Sequence, residues 1–176
     1  VGIIPRDWEV KKLKTYCKIK RGASPRPIQK YLTTSDNGVN WIKIGDVQNN
    51  RIKHTEVKII PEGRNKSVVV KKGDLLLSNS MSFGKPYILD IDGCIHDGWL
   101  AIKFKDALIN KNYLYNFLYS SDAEHFYLNM AAGTGVKNLN KEIVESLPIK
   151  TPPLPEQITI AEVLSTADKE IDLLNQ

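Results

Sequence analysis

The chain has 176 residues, 41% hydrophobic and 26% charged, with a net charge of +5. That apolar content supports a sizeable core in one domain and excludes a disordered chain, and no run approaches the roughly 18 apolar residues of a membrane span. The start of the chain lacks the basic-then-apolar pattern of a secretion signal, and Cys17 and Cys94 are isolated thiols, so the expectation is a soluble cytoplasmic protein without disulfides or membrane attachment.

In chain order, residues 1–30 carry nine Lys and Arg against Asp7 and Glu9, a net of +7 in a chain whose remainder sums to −2. Residues 8–60 read as short strands broken by turns: Trp41-Ile42-Lys43-Ile44 and Val57-Lys58-Ile59-Ile60 are β-rich, and Asp36-Asn37-Gly38, Gln48-Asn49-Asn50 and Pro61-Glu62-Gly63 are turn chemistry. Val68-Val69-Val70, Leu75-Leu76-Leu77-Ser78, Tyr87-Ile88-Leu89 and Leu100 to Phe104 extend a β-rich body, in which Trp8, Trp41 and Trp99 are expected in the core. Between Asn112 and Met130 the period changes. Tyr113, Leu114, Phe117, Leu118 and Phe126 recur at helical spacing, which predicts a helix or helix pair lying on the sheet, and Asn140 to Val144 reads as one further short helix.

The last segment is the most distinctive. Pro152, Pro153 and Pro155 forbid helix ahead of them and impose an extended strap, whereas Pro155 and Glu156 suit a first helical turn. Beyond it Ile160, Leu164, Ala167, Ile171 and Leu174 are spaced 4-3-4-3, the period of a paired helix. The seam is unfinished at Gln176, so the helix is expected either to continue or to pack on another body. Its charge is acidic, with Glu156, Glu162, Asp168, Glu170 and Asp172 against Lys169. A basic head and an acidic tail predict two surfaces with different partners.

Catalytic constellations do not assemble. His54, His96 and His125 lack Cys or carboxylates at metal-ligand spacing, and Gly133-Thr134-Gly135 lacks the Gly-Lys-Ser/Thr ending of a phosphate loop, so no metal and no cofactor is expected. One nuclease-like arrangement exists, Asp46 with Glu56 and Lys58, which could hold magnesium beside a lysine. What remains is a set of polar, basic loops. Lys20, Arg21, Ser24 and Arg26 lie on a proline-stiffened loop suited to phosphate contacts and to bidentate guanine readout. Asn79, Ser80, Ser82 and Lys85 form a second such loop, and Thr134, Lys137 and Asn138 a third.

Several signposts run in order along nearly the whole chain: Pro5-Arg6-Asp7-Trp8-Glu9, Gly22-Ala23-Ser24-Pro25, Gly45-Asp46-Val47, Lys72-Gly73-Asp74-Leu75-Leu76-Leu77-Ser78, Phe83-Gly84-Lys85, Gly133-Thr134-Gly135-Val136 and Pro152-Pro153-Leu154-Pro155-Glu156-Gln157. In these the chain resembles the specificity subunit of a bacterial or archaeal Type I restriction-modification enzyme. The resemblance implies an α+β fold: a β-rich target recognition domain with packed helices over residues 1–150, then the proline strap and the start of a coiled-coil spacer helix over 151–176. It implies sequence-specific binding of double-stranded DNA, one half of a bipartite site, without catalysis of its own. The modification (methyltransferase) subunit would dock on the helix and supply S-adenosylmethionine chemistry, and the restriction subunit would join through the complex. A full subunit holds two recognition domains and two long helices, so this chain resembles half of one, either excised or naturally short and self-associating through its helix. Two rival expectations stand beside this one: a recognition domain with a magnesium-dependent nuclease at Asp46, Glu56 and Lys58, and a helical scaffold that binds no DNA.

Overall fold

The structure is a computed structural model that describes residues 4–48, 50–79, 83–105, 107–131 and 138–174. Its strands in chain order are β1 (Glu9–Lys12), β2 (Cys17–Arg21), β3 (Leu32–Thr33), β4 (Val39–Ile42), β5 (Arg51–Ile52), β6 (Lys58–Ile59), β7 (Val68–Val70), β8 (Leu75–Ser78), β9 (Pro86–Leu89), β10 (Gly93–Ile95), β11 (Trp99–Phe104) and β12 (Pro148–Thr151). The α-helices are α1 (Lys111–Tyr119), α2 (Ser121–Ala131), α3 (Lys141–Ser146) and α4 (Leu154–Leu174).

The leucine run at 75–77 explains the layering. In a strand that alternates faces, three consecutive apolar residues need an apolar layer on both sides. Both are present. Leu75 and Leu77 pack with Tyr113, Leu114, Leu118 and Tyr127 of the helices, while Leu76 packs with Ile42, Val70, Ile95 and Trp99. The sheet that holds them has the order β2-β11-β8-β9-β5 and separates the helices from a second sheet of order β3-β6-β4-β10-β7. All three leucines are fully buried, and each such side chain stabilises the fold by roughly 1.5–3 kcal/mol. On the outer face of the second sheet Trp41, Ile59 and Cys94 form a smaller cluster, covered by Ile28 and Tyr31 from the segment after β2.

The helical stretch is a pair, interrupted at Ser120, whose extended backbone ends α1. Asn110 starts α1 by accepting from the backbone N–H groups of Asn112 and Tyr113, and Asn140 starts α3 by accepting from Ile143, which satisfies donors that a helix end leaves open. Trp41 and Trp99 are buried, but Trp8 is not a core residue: it is half-buried, and its indole N–H donates to Glu156 at 3.2 Å. It sits at the head of the ribbon in which β1 pairs antiparallel with β12, Glu9 opposite Thr151 and Lys12 opposite Pro148.

That ribbon fixes the strap. Pro152 and Pro153 remain extended and α4 begins at Leu154, with Pro155 in its first turn. Gln157, only 1% exposed, then locks the helix down: its carbonyl accepts from the Asn110 N–H at 2.8 Å and its amide donates to the Pro152 carbonyl at 2.8 Å. Ala161 is buried in the helix-facing core and Ile160 packs against it. From Glu162 onward every described side chain of α4 is exposed, including Leu164, Ala167, Ile171 and Leu174.

Candidate nucleic-acid interface

The site is organised by a tight turn between β10 and β11, residues His96, Asp97 and Gly98. The His96 ring folds back so that its Nδ1 accepts from the Gly98 N–H at 2.6 Å. This leaves the Asp97 carbonyl and carboxylate pointing at two other loops. The carbonyl accepts from Arg21 Nε at 3.2 Å and from the Asn79 side-chain amide at 2.7 Å. One carboxylate oxygen accepts from the Ser24 hydroxyl at 2.9 Å; the other lies 3.7 Å from the Arg26 guanidinium.

Backbone bonds close the cluster. Gly22 N–H donates to the Trp99 carbonyl, Ala23 N–H to Ile95, and Asn79 N–H to Gly98, while the Asn79 carbonyl accepts from Leu139 at 2.9 Å. Gly22 has to be glycine, because an ideal Cβ there would lie 1.9 Å from the His96 carbonyl oxygen. Gly84 has φ +77°, in the left-handed region, and its missing side chain makes room for the Tyr127 ring.

Three loops that are remote in sequence thus meet at one place, the loop after β2, the β8–β9 connection and the segment entering α3. Lys20 and Arg21, expected on the loop, are instead the last two residues of β2, paired with β11; both are exposed, as is Arg26, Ser24 is half-buried, and Lys85 is exposed where β9 begins, its backbone N–H donating to the Ser78 hydroxyl. Asn138 is exposed beside the pinned Leu139. Asn79 is placed differently from its neighbours: at 2% exposure, with its side-chain amide donating to the Asp97 carbonyl, it ties the loops together. Ser80, Ser82, Thr134 and Lys137 lie outside the described residues. Lys11 and Lys12 of the basic head lie on the β1–β12 ribbon, Lys11 paired with Glu9 at 2.5 Å.

Electrostatics agree with the geometry. Burial alone would raise the Asp97 carboxyl, but the Ser24 hydroxyl, its own backbone N–H and the nearby His96 and Arg26 outweigh that and hold it below the usual carboxylate value. Burial pushes the His96 imidazole down, against the pull of Asp97 and Asp46. Beside the cluster runs a groove of about 690 Å³, lined by Pro25, Arg26, Ile28, Trp41, Lys43 and Asp97 among others.

The carboxylate proposed for a nuclease centre is otherwise engaged. Asp46 is 6% exposed and closes a one-turn 3-10 helix by accepting from the Lys43 N–H at 2.7 Å, with the Glu56 N–H at 3.5 Å from its other oxygen. Among the described residues, no group of three or more His, Cys, Asp or Glu is placed to hold a metal ion.

Sequence reasoning missed His96, Asp97 and Gly98. The signal was an Asp-Gly pair, a turn dipeptide, at Asp97-Gly98, but nothing local tells that its partners are Ser24, 73 positions away, and Asn79.

The fold is similar to that of solved Type I specificity proteins. The HsdS subunit from Thermoanaerobacter tengcongensis superposes with a TM-score of 0.76 at 20% identity, covering 99% of this chain and 40% of that one. A chain from a structural study of complex assembly and conformational transition of the type I R-M system superposes at 0.79, also 20% identical, covering 98% and 41%. In sequence, residues 5–176 match the Type I restriction modification DNA specificity domain, and the chain belongs to that family. It is 28% identical to the Type I restriction enzyme MjaVIII specificity subunit of Methanocaldococcus jannaschii, over 98% of this chain and 40% of the relative. To the EcoKI specificity subunit of Escherichia coli it is 22% identical, over 97% and 38%. The chain thus spans about two-fifths of the length of the curated relatives it matches. No described helix is long and apolar enough to cross a membrane.

Proposed function

We propose that this chain reads a short sequence in double-stranded DNA, one half of a bipartite site, as a non-catalytic recognition module of a Type I restriction-modification system. One observation carries the reading: segments from three parts of the chain converge around Asp97, which holds Arg21 and Arg26, and the exposed Lys20 and Lys85 lie on the strands and turns that feed it. Cations on such loops bind phosphates and set register, while Ser24, Arg26 and Asn138 have the hydrogen-bonding groups that base edges require. Asn79 ties these segments together, and Ser80, Ser82, Thr134 and Lys137 are further candidates by sequence for such contacts.

Residues 1–150 act as the recognition domain, and residues 151–176 as strap and spacer helix. The exposed seam of Leu164, Ala167, Ile171 and Leu174, continuous with half-buried Ile160, is the docking surface for a partner helix, from a modification subunit or a second copy. Methyl transfer belongs to the modification subunit, and translocation and cleavage to a restriction subunit joined through the complex. The test is a competition assay at low salt between a pool of randomised duplexes and single strands of the same composition. Preference for the duplex pool is expected; equal binding to single strands, or no binding to either, contradicts the reading.

A further inference from the structure

Within a loop cluster whose exposed charges are otherwise basic stands one carboxylate. The Asp97 side chain is 47% exposed and faces Arg26, itself 82% exposed. An acid in that position meets the negative field of a duplex and weakens every complex that depends on charge alone. A structural tie to Ser24 would not need the charge, because the carbonyl of an asparagine accepts the same hydroxyl. The carboxylate also lies 3.7 Å from His96 Nδ1, but that nitrogen accepts from the Gly98 N–H, so what the charge supplies to a permanent cation is the 3.7 Å pairing with the Arg26 guanidinium. A guanidinium on an exposed loop is drawn to any phosphate in reach, and it reads sequence only when its planar fork is held toward a base edge.

We propose that Asp97 is a positioning residue that sets the module's sequence preference, holding Arg26 back from phosphates and aiming it, with Ser24, at base edges. The inference rests on the DNA-recognition reading above. Asp97 hydrogen-bonds through its carbonyl and carboxylate to Arg21 and Ser24 around the end of β2 and to Asn79 of the β8–β9 connection, so the orientation it imposes is referred to the β10–β11 turn and not to the loop alone.

The experiment is selection of a preferred duplex by the full chain, then affinity for that duplex and for a scrambled one, in the wild type, D97N and R26K. In D97N the Ser24 bond survives and the pairing is lost: the scrambled duplex binds more tightly, and the ratio of preferred to scrambled affinity falls by about 5- to 150-fold, the share of one base-reading contact. R26K keeps the charge and loses the fork, so it loses the preference to a similar extent. D97N with an undiminished ratio overturns the inference while leaving the DNA-binding reading intact. So does a D97N variant that melts lower and weakens both duplexes equally, since that is the behaviour of a merely structural residue. A wild type that selects no sequence removes the reading itself and the inference with it.

Discussion

Replacing Gly22 with alanine tests whether the loop after β2 is pinned to the turn that organises the site. The added Cβ would meet the His96 carbonyl oxygen at 1.9 Å, its carbon at 2.7 Å and the Ile95 oxygen at 2.9 Å, all backbone atoms that cannot rotate away. The loop must therefore open toward the 3.4 Å of ordinary contact. Opening strains or breaks the bonds from Gly22 to Trp99, at 2.8 Å, and from Ala23 to Ile95, at 3.1 Å. Two hydrogen bonds of about 0.5–1.5 kcal/mol each and a packing clash of about 1–3 kcal/mol place the loss near 3 kcal/mol. For a domain of this size that is a fall in melting temperature of about 6–12 °C. Differential scanning fluorimetry of G22A measures it, with G45A as control, since a Cβ at Gly45 meets nothing within 4 Å. Duplex affinity should fall in G22A even where the protein remains folded, because Ser24 and Arg26 lose their reference. A G22A variant that melts within about 2 °C of wild type and binds DNA equally well would refute the pinned-loop account.

Replacing Leu164 and Ile171 with Asp should abolish helix-mediated association in sedimentation while leaving the melting temperature of the monomer nearly unchanged, because both side chains are already exposed. Unaltered association in the double variant would show that the seam pairs with nothing. Burial holds the folded His96 below the usual histidine value of 6.5, so the unfolded chain takes up the proton first; its stabilisation is full above that value and declines as pH falls below it. Urea midpoints at pH 7.5 and 5.5 should show the decline in wild type and a smaller one in His96→Asn, whereas equal declines would contradict the assignment.

The central strands and the helices were legible because their periods are local. Leu75 to Ser78 and Leu100 to Phe104 announce strands, Tyr113 to Phe126 a helical face, and the prolines at 152, 153 and 155 an extended strap that enters a helix. Strand β10 was not legible. It has three residues, and its identity comes from pairing in parallel with β4, Cys94 opposite Trp41, across some fifty positions. The division of α4 into a docked half and a free half was equally invisible, since Ile160 and Leu164 occupy equivalent seam positions and only the contact with α1 separates them. The loops of the site were recognisable singly by composition. Their meeting at Asp97 depends on tertiary contacts that no local pattern encodes, and composition alone does not show that the Asn79 side-chain amide donates to the turn.

The central claim is that the loop cluster around Asp97 binds the phosphate backbone of a duplex, and its most direct test is the salt dependence of binding. Each phosphate contact contributes about 0.9 to the slope of log affinity against log salt. If Lys20, Arg21 and Lys85 each neutralise a phosphate while Arg26 faces base edges, replacing all four with Ala should reduce that slope by about 3 and weaken binding to every duplex. A quadruple variant with the slope and affinity of wild type would place the DNA elsewhere on the molecule.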